Sequence, residues 1–155
     1  MYPWSESIPL GPYLASVSQL LQSGSDPAVV MGQIEVLTRS QLPTVALTLS
    51  LRLGQSRTLW LRVPADPAPN PATFVHQQPL ASKRGTHGQI AVEVFSSPPG
   101  PAEWLKATEV LARLFSVYAD QWLLVEQNRE LAHARDQLAR TLEEHKLISR
   151  AAGRV

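Results

Sequence analysis

The sequence contains no cysteine. This absence excludes disulfides, thiolate metal ligands and cysteine nucleophiles, and it is typical of a protein that works in a reducing compartment. The N-terminus also lacks the positive charge of a secretory signal, because the first basic residue is Arg39. No apolar run approaches the roughly 18 residues that cross a bilayer. We therefore expect a cytoplasmic protein without a membrane partner.

Dense positive charge is lacking as well. The formal net charge is +1, and the middle of the chain, residues 39–100, holds only six basic and two acidic side chains among its 62 residues. This falls short of the clustered footprint of a nucleic-acid-binding surface. The globular part is therefore not expected to bind nucleic acid.

Recognisable catalytic and metal-binding patterns are also missing. The sequence has no Gly-rich phosphate loop, no Gly-x-Ser-x-Gly motif, and no histidine with a second ligand at metal-binding spacing. The four histidines are His76, His87, His133 and His145. We predict a protein that is not an enzyme and that has no catalytic residue, metal site or cofactor.

The last third of the chain lacks internal proline, and its only glycine stands near the very end. Pro101 suits the first position of a helix, where its missing N–H costs nothing. A helix from Pro101 to about residue 152 would be roughly 75 Å long at 1.5 Å per residue. A domain of this size cannot cover that length, so part of the helix must protrude or pair.

Apolar residues recur in this helix at every seventh position, which is typical of the d positions of a coiled coil. The a positions between them are half polar, and one of them is Asn128. This pattern predicts a weak or regulated coiled coil in a homodimer, and the alternative is an ordinary core helix with a solvated tail. The predicted dimer interface comprises Val110, Val117, Leu124, Asn128, Leu131 and Leu138.

A second apolar stripe occupies only the N-terminal half of the same helix. It predicts packing against a sheet of the same chain, because one face of a helix can bury such a stripe while another faces a partner. Its members are Trp104, Leu111, Tyr118, Trp122 and Val125. We therefore assign residues 12–125 to a globular domain and residues 126–146 to a coiled-coil linker.

The rest of the chain predicts two helices followed by four strands. Residues 1–11 show no periodicity and are interpreted as a loose arm, whereas Pro12 and the pair Asp26-Pro27 suit helix starts. Alternating apolar residues predict strands at 45–53, 58–63, 73–78 and 89–95, with a Pro-rich loop and a polar connector at 83–86 between them. This order predicts an α+β domain whose antiparallel sheet is covered by helices from both ends of the chain.

The segment Gly88-Gln-Ile-Ala-Val-Glu-Val-Phe95, followed by a Pro/Gly break and a helix, resembles the closing strand and helix of the GAF domain, a small sensory fold. The resemblance implies an antiparallel sheet backed by N- and C-terminal helices. It also implies an unknown small-molecule ligand beside the sheet, although only the proline-filled stretch 64–86 is available to enclose one. The candidate ligand-binding residues are Trp60, Phe74, His76 and His87.

The C-terminal residues Leu147-Ile148-Ser-Arg-Ala151-Ala-Gly153-Arg-Val155 are similar to the opening of the ANTAR domain, a three-helix RNA-binding module of transcription antiterminators. The matching positions are Ile148, Ala151 and Gly153, in residues 147–155. The resemblance implies an RNA-binding output that requires the complete module, of which this chain holds only the start. The alternative is that Gly153 only ends a helix.

Two functional hypotheses follow from these resemblances. In the first, the chain is the sensory and dimerisation module of a GAF-ANTAR type regulator that controls transcription antitermination. In the second, it is a ligand-free GAF-like scaffold for dimerisation or protein interaction. A deep pocket that contains the candidate ligand residues would favour the first hypothesis, and a filled core would favour the second.

Overall fold

The computed structural model describes residues 10–54, 57–65, 71–96 and 99–153. It confirms the α+β class, with an antiparallel sheet, two short N-terminal helices and one long C-terminal helix. The elements in chain order are α1 (Leu10–Leu21), α2 (Pro27–Gln41), β1 (Val45–Leu53), β2 (Arg57–Val63), β3 (Phe74–Ser82), β4 (Gly85–Val94) and α3 (Pro101–Ala152).

The two N-terminal helices form at the predicted start signals. Helix α1 begins at Leu10, slightly before Pro12, and the other residues of the predicted N-terminal arm lie outside the described residues. Helix α2 begins with Pro27, and the Asp26 carboxylate accepts a hydrogen bond from the Ala28 N–H at 3.1 Å. Arg57 also donates to this carboxylate, at 3.2 Å, and its hydrogen bond holds the pKa of Asp26 below the ordinary value.

A buried hydroxyl pair joins the two helices. The Tyr13 hydroxyl lies 2.7 Å from the Thr38 hydroxyl, which also donates to the Ile34 carbonyl oxygen. Tyr13 is only 1% exposed, and this burial raises the pKa of its hydroxyl to about 12. The phenol is therefore protonated in the folded chain throughout the neutral range.

The sheet has the strand order β2-β1-β4-β3, and every neighbouring pair is antiparallel. Alternate residues of β1 are buried, which confirms the period-two pattern of this strand. The buried β1 residues pack with residues of the helices, so one sheet face forms the core. The other face, which we call the outer face, carries the remaining side chains of each strand.

Strand β3 is longer than predicted and extends to Ser82, and β4 begins as early as Gly85. The predicted connector at 83–86 is therefore confirmed only at Lys83 and Arg84, which form a tight turn, whereas Gly85 and Thr86 belong to β4. The two strands pair along nearly their whole length. The sequence shows no alternation of apolar and polar residues at these strand ends, but pairing with the neighbouring strand satisfies their backbone N–H and C=O groups.

Helix α3 begins at Pro101 as predicted and continues to Ala152. The chain forms two compact units, one up to Asp120 and one from Gln121 onward. We call the first unit the body and the part of α3 in the second unit the distal helix. Within the body, α3 buries Trp104 and Phe115, which are 3% and 0% exposed. None of the helices in the described part of the chain is long and apolar enough to cross a membrane.

Candidate functional site

The four candidate ligand residues do not share one site. Phe74 and His76 lie on the core-facing side of β3, with ring centroids 5.9 Å apart. Trp60 stands opposite Ser50 on the outer face of β2, at the far edge of the sheet, and is 71% exposed. His87 is buried in β4. The structure therefore brings together only Phe74 and His76.

His87 takes part in a polar cluster with two residues that the sequence analysis did not select. The Ser82 hydroxyl oxygen lies 2.9 Å from His87 Nε2 and donates to Asp120 Oδ1 at 2.8 Å. His87 Nε2 lies 2.8 Å from the same carboxylate oxygen. The cluster joins the end of β3, the start of β4 and the last helical residue of the body.

A β-bulge places His87 in this cluster. Leu80 pairs with Gly88 and Ala81 pairs with Thr86, so His87 lies between two successive pairs without a partner of its own. Gly88 has a φ of 135°. A Cβ at this position would overlap with the carbonyl oxygen of Ser50 on β1. Only glycine lets β1 approach the bulge this closely.

The cluster contains serine, histidine and aspartate, but its geometry is not that of a nucleophilic triad. In a triad, the acid contacts one ring nitrogen of the histidine and the serine contacts the other. Here both Ser82 and Asp120 contact Nε2 of His87, and the serine proton points to the carboxylate. The three side chains therefore form a part-buried hydrogen-bonded anchor between the hairpin and α3.

A groove of about 420 Å³ runs beside this anchor, between β3 and the body portion of α3. Its walls contain acidic and basic side chains, namely those of Glu109, Arg113 and Asp120. They also contain the small side chains of Ala112 and Ser116. None of the four candidate ligand residues lines it. The groove has the size and polarity to hold a small polar molecule. The sequence could not reveal it, because its two walls are distant in the chain.

Between the helices and the central strands, the described residues leave little space for a ligand. A cavity of about 10 Å³ lies among α1, α2, α3 and the sheet, with Tyr13, Trp104 and Leu111 in its wall. This is about the space that one water molecule needs. The core around it is filled by apolar side chains. Among the described residues, no three His, Asp or Glu side chains form a group that could hold a metal ion.

The predicted dimer interface is exposed along α3. Ala107, an a position of the heptad pattern, is buried in the core of the body. We call the exposed apolar residues of the predicted interface the seam, and in the body the seam consists mainly of d positions. Asn128 is exposed between two of the distal d positions. The exposed fractions are 40% for Val110, 49% for Val117, 39% for Leu124, 68% for Leu131 and 61% for Leu138.

The three residues of the ANTAR-like motif lie at the end of α3. Ile148 is 66% exposed, and Ala151 is also exposed. The Gly153 N–H donates to the Ser149 carbonyl oxygen at 2.9 Å, which continues the helical hydrogen-bond pattern by one residue. This placement suits both an apolar surface for further helices and a simple helix end.

No family model matches the chain, and no curated protein matches it either.

Proposed function

We propose that the chain is the dimerisation and sensory module of a GAF-ANTAR type regulator, which acts on transcription antitermination through an RNA-binding output. In this proposal, α3 pairs with the α3 of a second copy and carries the state of the body to the output. The observation that supports it is the exposed apolar seam, which begins in the body at Val110 and continues in the distal helix to Leu138.

The size of the seam favours pairing. Burial of apolar surface contributes about 25 cal/mol per Å², and monomeric proteins rarely leave long contiguous apolar surfaces in water. The seam continues where α3 belongs to the distal helix, in which Leu131 is 68% exposed. A second copy of α3 presents the same seven-residue spacing and so fits this surface.

Asn128 favours a parallel arrangement of the two helices. It occupies an a position between Leu124 and Leu131, where an asparagine pairs with its symmetry mate in a parallel two-stranded coil. Such a residue specifies register and strand number and lowers stability. An antiparallel pair would not align the two side chains.

The first prediction tests this arrangement through Asn128→Leu. The substitution should raise the melting temperature and shift the oligomeric state towards higher-order species, because it replaces a polar layer by an apolar one. Thermal unfolding and sedimentation velocity at several concentrations measure both effects. Arg129→Leu is the matched control, since it adds the same side chain at the next position, about 100° around the helix and away from the apolar seam, and should leave the oligomeric state unchanged.

The proposal fails if wild-type protein sediments as a monomer at high concentration. It also fails if Asn128→Leu changes stability by no more than about 0.5 kcal/mol, the usual range for a surface substitution, and leaves the oligomeric state as it was. Either result would rule out the parallel pair of α3 helices on which the proposal depends.

The second candidate function is a ligand-free scaffold, in which dimerisation remains and sensing is lost. The observation that favours it is the separation of Trp60 from Phe74 and His76 on opposite faces of the sheet. A thermal-shift screen with small polar metabolites separates the two functions, since a ligand at 100 times its Kd stabilises by about 2.7 kcal/mol. Arg113→Ala, in the wall of the groove, shows whether a stabilising ligand binds there.

A further inference from the structure

The outer face of the sheet combines short central side chains with one large aromatic side chain at its edge. Trp60 on β2 stands directly opposite Ser50 on β1, at a typical separation of about 5 Å between Cβ atoms. In the described part of the chain, the Trp60 side chain has no ring contact or hydrogen bond, and the residue is 71% exposed. The short side chains in the two central strands are Ala46, Thr48, Ser50 and Ala91.

Two arginines flank Trp60 on this face. Arg62 follows on the same strand and the same side, about 7 Å away, and Arg52 on β1 pairs with Thr58, which places it diagonally from Trp60 at roughly 7–8 Å. Both arginines are exposed, and neither has an ion pair or side-chain hydrogen bond with another described residue.

Among the residues of the four strands, negative charge on the outer face is remote from the two arginines. Of the strand residues on the outer face, only Glu93 is acidic, and it lies on β4, two strands away from Trp60 and beside Ala46 and Val75. The half of the face around Trp60 therefore presents two positive charges and one aromatic surface. We call Arg52, Trp60 and Arg62 the aromatic-basic patch.

We propose that the aromatic-basic patch binds single-stranded nucleic acid, with one base stacked on Trp60 and the neighbouring phosphates in contact with Arg52 and Arg62. Stacking on an aromatic side chain beside basic residues is the common mode of single-strand binding and tolerates any base. The guanidinium groups supply the charge that phosphates require. Binding is thus expected to be weak, tolerant of sequence and sensitive to salt.

The spacing of the two arginines selects a strand over a free nucleotide. Arg52 is level with Thr58, so the two arginines begin about 13 Å apart along the direction of the strands. Phosphates in one stacked strand are spaced about 3.4 Å apart along the helix axis. The two guanidinium groups therefore contact different phosphates of one strand, with the stacked base between them.

This placement departs from the expectation drawn from composition, in which the globular part lacked a nucleic-acid-binding surface. A count along the chain ignores which side chains share a sheet face. The patch lies wholly in the body, so it requires neither the pairing of α3 nor an ANTAR-like module. Its test is accordingly independent of the proposed function.

The test uses the full chain and an eight-nucleotide oligouridylate, which has no stable secondary structure. Titration is followed by NMR through the indole N–H signal of Trp60, which is identified by its disappearance in Trp60→Phe. We expect this signal to shift on binding. Trp60→Ala should weaken the affinity at least about 5-fold, because stacking of one base is lost, whereas Trp60→Phe should weaken it less.

Val75→Ala is the matched control for exposure. Val75 is 68% exposed on the same face but lies at the opposite edge of the sheet, next to Glu93. This variant should bind the oligonucleotide as the wild type does. Thermal unfolding of each variant verifies that the fold is intact, which is expected because these side chains are exposed.

Salt dependence tests the two arginines. Two phosphate contacts predict a slope of about −1.4 in a plot of log affinity against log salt, at about −0.7 for each contact with a single strand. Arg52→Ala and Arg62→Ala should each reduce the magnitude of the slope by about 0.7. Arg39→Ala is the control, because Arg39 lies on α2 in an ion pair with Glu35.

Three results would overturn the proposal. An unshifted Trp60 indole signal at millimolar oligouridylate would exclude stacking at this position, even if other signals shift. Binding of uridine monophosphate as tightly as the octamer would show a mononucleotide site. Binding of poly-glutamate with the same dependence on Trp60, Arg52 and Arg62 would identify a surface for acidic proteins.

Discussion

The body and the distal helix contain parts of the same helix, but they bury it to very different extents. In the body, Phe115 is completely buried and Trp104 is 3% exposed, whereas in the distal helix Leu131 and Leu138 are 68% and 61% exposed. Apolar residues at helical spacing are present in both parts. Periodicity therefore indicates that a surface is suited to packing, and only the surrounding chain decides whether it packs within one molecule.

The two parts also differ in what stabilises them. The body has a core shared by three helices and a sheet, while the distal helix has local contacts such as the pair of Lys146 with Glu143 at 3.8 Å. Pairs of this kind on a helix surface contribute only about 0.2–0.5 kcal/mol each. Most helical stability in proteins comes from packing of an amphipathic face. The distal helix is thus expected to depend on association, and the body is not.

The largest expected effect is a loss of stability of the body when Gly88, in the β-bulge, is replaced. Gly88→Ala places a Cβ against the Ser50 carbonyl oxygen, at a φ of 135° that L-residues rarely adopt. Relief requires β1 and β4 to separate, so we expect a loss of at least about 5 kcal/mol, which is comparable to the whole stability of many domains. Denaturant unfolding and circular dichroism measure the loss.

Gly32→Ala is the matched control for this substitution. Gly32 lies in α2, and a Cβ there would meet no atom within 4 Å. The change should raise the free energy of unfolding by about 0.5–1 kcal/mol, because alanine has the higher helix propensity. Equal effects at the two glycines would contradict the account of the bulge.

A pair of truncations in α3 compares the two regions directly. Phe115→Ala removes a fully buried ring and should lower the free energy of unfolding by about 3–4 kcal/mol, independently of protein concentration. Leu131→Ala should leave the unfolding of the body unchanged and weaken the dimer instead. Unfolding curves at two protein concentrations, together with sedimentation, distinguish the effects. A concentration-independent loss at Leu131 would show that the distal helix packs within its own chain.

The smallest expected effect concerns pH and is confined to the body. The pKa of Tyr13 rises from an ordinary value of 10.0 to about 12 in the folded chain. The contribution of the neutral Tyr13 phenol to the free energy of unfolding is therefore fully present below pH 10 and is lost as the pH rises through 12. The loss is roughly 2 kcal/mol at pH 12, since one pKa unit corresponds to 1.36 kcal/mol.

Tyr13→Phe isolates this contribution from other groups that titrate at high pH. The variant should be less stable than the wild type by about 1 kcal/mol at pH 9, because it lacks the hydrogen bond with Thr38. The difference should shrink above pH 10 and reverse by pH 12. Parallel curves for the two proteins would mean that the Tyr13 hydroxyl is not held protonated by burial.

Local chemistry was predictable wherever it acts between near neighbours in the chain. Pro101 began α3, Asp26 and Pro27 began α2, and the alternation of apolar residues in β1 produced its buried face. In each case, the responsible interaction spans at most a few residues. Backbone geometry and side-chain periodicity are sufficient to express it.

The composition and periodicity of the sequence by themselves determined the α+β class, the helix and strand starts and the long apolar seam of α3. Only the tertiary structure decided which distant side chains meet. It joined Ser82, His87 and Asp120 through a bulge and a helix contact, and it set Trp60 on a different sheet face from Phe74 and His76. The physical reason is that a shift of one residue in strand pairing moves a side chain to the other face, and no local pattern encodes that register.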